Sequence, residues 1–236
     1  MNRGKRIAAL ISLLVLGCVL VFVAFMLLQV REIHITGCST LEEKQVEELS
    51  GIEYGECIFF VDTETVMEAL AANPAIKPVS VKIVYPYSVD IEIAERTPAA
   101  YIDTDGMRLT LDSEGVLLSV DMAPQGEALP QVVGFSTARF EVGQPLGEDA
   151  YKRSVFSSLL QALGNYELGV ACIDITYASS IKLMTPDGFT IELGNEDDLA
   201  AKLKLALQMK EKVIALGKTG GIIDAATGKT AYFRES

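Results

Sequence analysis

Hydrophobic residues are laid out along this chain in three different patterns. From Ile7 to Leu28 they are continuous: IAALISLLVLGCVLVFVAFMLL has Ser12 as its only clearly polar member. A helix needs roughly 20 such residues to cross a hydrocarbon core ~30 Å thick. Arg3, Lys5 and Arg6 precede the run, and cations flanking a span stay in the cytoplasm. The pattern therefore predicts a cytoplasmic tail (1–6), a transmembrane helix (7–28) and an outer region from Gln29 onward. A cleaved signal peptide is the competing reading. It has a shorter apolar core, ~7–15 residues, ending at a small-x-small site, and Phe25 to Arg31 offers none. Val15-Leu16-Gly17-Cys18 hints at a lipoprotein box, but the residues after Cys18 stay apolar.

The second pattern covers residues 29–98. Val30 to Ile35 alternates apolar and polar residues, as a strand does, and Gly37 ends it. Thr40-Leu41-Glu42-Glu43 is spaced as a capping box. It predicts a helix with Leu41, Val46 and Leu49 on one face and Gly51 as its stop. After the apolar run Cys57 to Val61, Asp62 is placed to cap a second helix, Thr63 to Ala72, on which Val66 and Leu70 stack. Asn73-Pro74 stops that helix. Val79, Val81 and Ile83, then Val89, Ile91 and Ile93, alternate with polar residues on either side of Pro86-Tyr87-Ser88, a hairpin with one apolar face. The predicted order is β-α-α-β-β.

That order, directly after a single span, resembles a POTRA domain, and more closely the FtsQ/DivIB family of bacterial cell-division proteins. The residues that carry the resemblance are Val30-x-x-Ile33-x-Ile35-x-Gly37, Gly51-Ile52 with Gly55, Ile58-Phe59-Phe60-Val61-Asp62, Leu70-x-x-Asn73-Pro74-x-Ile76, Val81-x-x-x-Tyr85-Pro86 and Glu95-Arg96-x-Pro98-x-Ala100. Glu95-Arg96 is read as a strand-end ion pair or a domain-junction contact, and His34 as an exposed strand residue.

The third pattern, residues 99–236, mixes short alternating strands with two helical stripes. Ala99 to Ile102 and Arg108 to Leu111 flank the turn Asp103-Thr104-Asp105-Gly106, and Val116 to Val120 follows. Met122 to Pro130 reads as a connecting loop. Glu148 to Leu163 is a helix with Tyr151, Val155, Leu159 and Leu163 on one face. Strands are predicted over Val170 to Tyr177, Ile181 to Met184 and Phe189 to Leu193, the last two joined by Pro186-Asp187-Gly188. A final helix runs from Glu196 to Leu216, with Glu196, Asp197 and Asp198 at its start. Ile222 to Asp224 and Ala231 to Phe233 close the domain as strands. The resemblance continues in Leu129-Pro130-x-Val132-x-Gly134, Phe189-x-Ile191-x-Leu193-Gly194, Lys202-Leu203 and Ile223-Asp224. The chain departs from it at Ala225-Ala226, where many members carry a hydrophobic residue and an arginine. The whole reads as α+β: a single N-terminal transmembrane helix, a POTRA domain, then a larger mixed α/β domain with a mainly antiparallel sheet.

Charge narrows the partners. The formal net charge is −12, and the tail's three cations leave −15 for the remainder. Nucleic acid and anionic lipid both need a basic surface, so neither is expected. Cys38, Cys57 and Cys172 outside the span are an odd number and form no full disulfide framework; Cys38 and Cys57 are close enough to be bridged, or are free. With one histidine beside the membrane, Ser-His-Asp and Cys-His chemistry lack a base. A Ser39–Lys44 dyad is the remaining enzymatic option, and both residues fall at a helix start. Gly220-Gly221 is not followed by the lysine and helix of a phosphate loop. No catalytic, cofactor or metal site and no small-molecule substrate is expected.

The resemblance implies a bitopic membrane scaffold of the divisome. Its partners would be bitopic division proteins of the FtsB/DivIC and FtsL types, with a septal peptidoglycan synthase as a further candidate, and it would sit at the division septum. The expected partner site is a sheet edge formed by the last strand, Lys229, Thr230, Ala231, Tyr232, Phe233 and Arg234. A short terminal strand exposes unpaired backbone groups to which a partner segment can add. Alternation puts Tyr232 and Phe233 on opposite faces, so that one can close the core while the other meets the partner. The alternative is a membrane-tethered chaperone-like module whose POTRA sheet edge takes transiting polypeptides.

Overall fold

The computed structural model describes residues 3–122 and 129–235, and the side chains of these apart from 3–9 and 24. The expected loop Met122 to Pro130 therefore lies largely outside the described residues, as do the side chains of Arg3, Lys5 and Arg6. The chain divides into two compact units, Met1–Glu95 and Arg96–Ser236.

The first unit opens with helix α1, Arg3–Leu27. Within it, Leu10–Leu27 is the one stretch among the described residues long and apolar enough to cross a membrane. There follow β1 (Glu32–Thr36), α2 (Glu43–Ser50), a short 3-10 turn (Ile58–Phe60), α3 (Thr63–Ala71), β2 (Ile76–Val84) and β3 (Ser88–Glu95). The strands form one sheet in the order β1-β3-β2, with β1 parallel and β2 antiparallel to β3. This is the expected β-α-α-β-β arrangement. Val46, Val66 and Leu70 from the helices cover Ile76, Val89, Ile91 and Ile93 of the sheet, all buried. Asp62 caps α3 as its position suggests, accepting from the Glu64 N–H at 3.1 Å.

Three expectations for this unit are corrected. Thr40-x-x-Glu43 is not a capping box: α2 starts at Glu43 after Glu42, with no side-chain cap. The hydroxyl of Thr40 donates instead to Glu95, across the unit. Val79 does not share a face with Val81 and Ile83. The β2–β3 register jumps between Pro78 and Ser80, so Val79 is the extra residue of a β-bulge and points to solvent, 49% exposed. Before the bulge the inward phase falls on Ile76 and Pro78, and after it on Val81 and Ile83. Leu49 faces solvent rather than the core; Val46 and Ser50 are the buried residues of α2.

Glu95 and Arg96 form no ion pair with each other. The Glu95 carboxylate takes the Thr40 and Leu41 N–H groups at 2.9 Å and the Ser39 hydroxyl at 2.8 Å. These donors, with the Thr40 hydroxyl contributing most, hold the carboxyl well below the usual range. Arg96 pairs with Asp112 and, at 3.1 Å, with Glu114. Asp112 is buried, and its other oxygen accepts the Glu114 and Val116 N–H groups at 2.8 Å.

The second unit contains β4 (Ala100–Thr104), β5 (Met107–Leu111), β6 (Leu117–Asp121), β7 (Gln131–Val133), α4 (Ala150–Leu163), β8 (Cys172–Asp174), β9 (Ile181–Met184), β10 (Phe189–Gly194), α5 (Leu199–Ala215), β11 (Gly221–Asp224) and β12 (Tyr232–Arg234). All these strands join one sheet in the order β12-β11-β10-β9-β8-β7-β4-β5-β6. Pairings β10–β11, β7–β8 and β4–β7 are parallel and the other five antiparallel. Asp105 and Gly106, with φ of 48° and 78°, make the tight β4–β5 turn that the Asp-Gly dipeptide predicts.

The helical stripes are corrected in detail. In α4 the buried residues are Val155, Phe156 and Leu159. Tyr151 points away and donates its hydroxyl to Glu196 at 2.5 Å. Helix α5 begins at Leu199, not Glu196, because Asp198 takes a left-handed conformation, φ 51°, that ends the preceding loop. Glu196, Asp197 and Asp198 therefore precede the first turn.

Candidate functional site

The site is built by the four strands at one end of the large sheet, β9 to β12. Alternation along each sends Leu183, Ile191, Ile223 and Phe233 to the core and Lys182, Glu192, Asp224, Tyr232 and Arg234 to the opposite face. The core side is closed by α5, whose Leu199, Leu203 and Ala206 are buried there.

The structure places the six expected residues in two groups. Lys229 and Thr230 belong to the turn that leads into β12; Thr227 Oγ1 accepts from both of their N–H groups at 3.4 Å. Ala231 and Phe233 pack against the core. Tyr232 is 60% exposed. Arg234 already has an acidic partner within the chain, donating to Glu192 Oε2 at 2.7 Å, and Lys182 approaches the other Glu192 oxygen at 3.4 Å. Cross-strand charge thus bridges β12 to β10 over the intervening β11.

Three contributors were not identified as site residues from sequence. Gly221 gives Phe233 its seat: a Cβ there would lie 2.5 Å from the ring and 2.8 Å from the Arg234 carbonyl oxygen, and φ is +137°, where side chains are rarely tolerated. The signal was the Gly-Gly step before a predicted strand, read only as a failed phosphate loop. Glu192 was legible as an outward position of β10, but the strand it would face was not. Lys202 is buried in the first half of α5. Its ammonium donates to the Asn195 carbonyl at 2.9 Å and side-chain oxygen at 2.8 Å, and its stem lies under Gly228 of the turn before β12. Burial pushes its pKa down, opposed by Asp197, Asp198 and Glu196.

The sheet edges differ. Strand β12 is terminal, and among the described residues no other segment pairs with its outer side. At the other end, β6 is partly covered: Leu117 exchanges backbone bonds with Gln144 and Gly143 at 3.0 and 2.8 Å. In the first unit β2 is an edge too, but it carries the Val79 bulge, Pro78 with no N–H to offer, and the exposed Lys77 and Lys82. Such features blunt an edge against strand addition.

The other candidate residues lie elsewhere. Ser39 donates its hydroxyl to Glu95, and Lys44 is exposed on α2. His34 is exposed on β1, 3.5 Å from Glu32. All four cysteines are free thiols; burial pushes the Cys172 and Cys38 thiols up, away from nucleophilic character.

Residues 28–96 match the family model described as POTRA domain, FtsQ-type, and residues 100–225 match that of the cell division protein FtsQ/DivIB, C-terminal. The chain is 28% identical over 186 residues to a cell division protein FtsQ of Anaeromyxobacter sp. (strain K), covering 75% of this chain but 60% of that protein's length. It is 23% identical over 218 residues to the cell division protein DivIB of Clostridium acetobutylicum, covering 91% of this chain and 87% of the relative. Among solved structures, the major extracytoplasmic domain of DivIB from Geobacillus stearothermophilus, in its trans isomer, aligns at a TM-score of 0.33 with 14% identity, over 52% of this chain and 97% of that one.

Proposed function

Because the chain belongs to the FtsQ/DivIB family of cell-division proteins, we propose that it works as a non-enzymatic, bitopic scaffold of the divisome. In this reading α1 is the membrane span, residues 1–6 are cytoplasmic, and the POTRA domain (29–98) and the distal domain (99–236) stand outside, at the division septum. The distal domain captures segments of FtsB/DivIC-type and FtsL-type bitopic partners, and through them influences the septal peptidoglycan synthase.

The observation that supports this is the open outer side of β12. A partner strand laid there gains backbone hydrogen bonds, and the outward Tyr232 adds an aromatic contact that gives the bonds a sequence preference. The blunted β2 edge leaves the chaperone-like alternative only β1, the other edge of that sheet, on which to accept chains.

A photo-crosslinking amino acid at Tyr232 in the full-length membrane protein tests the reading. Co-expressed FtsB/DivIC- and FtsL-type partners should crosslink at position 232 and not at Lys82 on β2. Crosslinking at 82 with none at 232 would overturn it, as would a fluorescent fusion that fails to gather at midcell.

A further inference from the structure

Residues 29–95 contain five aromatic side chains, Tyr54, Phe59, Phe60, Tyr85 and Tyr87. All five lie at one end of the first unit, the end joined to α1. Backbone hydrogen bonds gather their three segments there. The Ile58 N–H donates to the Leu28 carbonyl at 2.8 Å, Gly55 to Val30 at 2.9 Å, and Arg31 to Tyr87 at 2.9 Å. Phe59 and Tyr85 meet with ring centroids 5.7 Å apart. None of these rings builds the core, which is made of valine, isoleucine and leucine. Phe60 is 75% exposed and Phe59 60%, with Tyr85 and Tyr54 also exposed.

We infer that this aromatic end is seated in the interfacial layer of a lipid bilayer, the same bilayer that α1 enters. The inference rests on the reading of α1 as the span. Phe59 and Phe60 reach the upper acyl chains, while Tyr54 and Tyr85 sit at headgroup level, where amphipathic rings accumulate. Continuity with α1 selects lipid over a protein as occupant. One hydrogen bond separates the last apolar residue, Leu28, from the turn that carries both phenylalanines, so a helix in the membrane delivers the rings to its surface without any partner. Arg31 fits the same boundary: its guanidinium turns back to the Met26 carbonyl at 3.0 Å, at the C-terminal end of the helix dipole. Apart from Arg31, whose guanidinium is turned to the Met26 carbonyl, the neighbouring charges Glu53, Glu56 and Asp62 are acidic. The contact is therefore apolar, does not depend on anionic headgroups, and suits a zwitterionic surface. The consequence is orientational: the POTRA domain is tied to the membrane plane at two places, the helix and the rings.

The chain has no tryptophan, so single substitutions give site-specific fluorophores. Full-length Phe60→Trp, Phe59→Trp, Phe22→Trp in the span and Tyr177→Trp in the second unit are each reconstituted into phosphatidylcholine vesicles containing lipid brominated either high or low on the acyl chain. Phe60→Trp and Phe59→Trp should emit to the blue of Tyr177→Trp and lose emission most with the high bromines. Phe22→Trp should lose most with the low bromines, and Tyr177→Trp should be unaffected by either. Quenching of Phe22→Trp with none at positions 59 and 60 overturns the inference and leaves the span intact. No quenching of Phe22→Trp removes the span and the inference together. Quenching at position 177 equal to that at 60 also overturns it, since contact would then not be particular to this end.

Discussion

Glu95 and Arg96 are neighbours in the chain, yet each side chain secures a different unit: Glu95 closes the 39–41 loop of the first, and Arg96 neutralises the buried Asp112 in the β5–β6 turn of the second. A dipeptide that looks like a local ion pair is two separate structural fastenings.

Glu95→Ala should lower the melting temperature of the first unit at neutral pH, because three N–H groups and two hydroxyls lose their acceptor. The native carboxyl is depressed, so its stabilising effect is complete above the unfolded glutamate pKa of ~4.3 and is lost as pH falls below it toward the native value. Melting curves of native protein and variant should therefore converge in acid. A gap that stays constant from neutral to acid pH would contradict this.

Arg96→Ala should cost the second unit about 3–5 kcal/mol, since it leaves the buried Asp112 charge without its cation. Asp112→Asn placed on top of Arg96→Ala should recover part of that loss by removing the charge. Urea unfolding followed by a probe in the second unit measures both.

Tyr232 and Phe233 should separate binding from stability. Tyr232→Ala is expected to weaken partner affinity by about 2 kcal/mol, roughly 30-fold in Kd, if it is an interface anchor, with little change in melting temperature. Phe233→Ala should lower stability, because its ring packs on the core. Calorimetry with the partner's outer segment and thermal melts of the same two variants distinguish these effects.

Arg234→Ala, Glu192→Ala and the double variant should give a coupling energy of about 0–1 kcal/mol, the range of partly exposed pairs. Arg234 is 58% exposed in its side chain and Glu192 26%. A larger coupling would mean that β12 depends on this pair rather than on Phe233 for its attachment.

Gly221→Ala should destabilise the β11–β12 ribbon by about 1–3 kcal/mol, through an unfavourable φ and the collision with the Phe233 ring. Faster amide hydrogen exchange at residues 232–234, with exchange in β9 unchanged, is the expected signature.

Local signals in this sequence carried well; signals that depend on distant partners did not. The Asp105-Gly106 turn, the Asp62 cap, the β9–β10 hairpin and the β-α-α-β-β order were legible because each is decided within a few residues. The apparent capping box at Thr40 failed because its hydroxyl is claimed by Glu95, brought near only by the fold. The Val79 bulge was invisible because Val79, Val81 and Ile83 alternate as an unbroken strand would; only pairing with β3 shows the extra residue. In α4 the regular spacing from Tyr151 misled, since Glu196 offers that hydroxyl a partner outside the core and Phe156 fills the space. The order of the large sheet was least legible: β7, β8 and β12 are only three residues long. At the candidate site, alternation showed that Tyr232 and Phe233 face opposite ways but not which of them faces the core; that assignment, the Gly221 seat and the Arg234–Glu192 clasp required knowing which strand lies beside which.

The contact between Gly221 and Phe233 also makes an evolutionary forecast. The ring fits only where no side chain stands, so the two positions are one unit of variation. Relatives that keep a large aromatic at the second should keep glycine at the first, and those that grow a side chain at the first should shrink the second. A pair that drifts independently across the family would mean that the terminal strand is attached by some other means in most of its members.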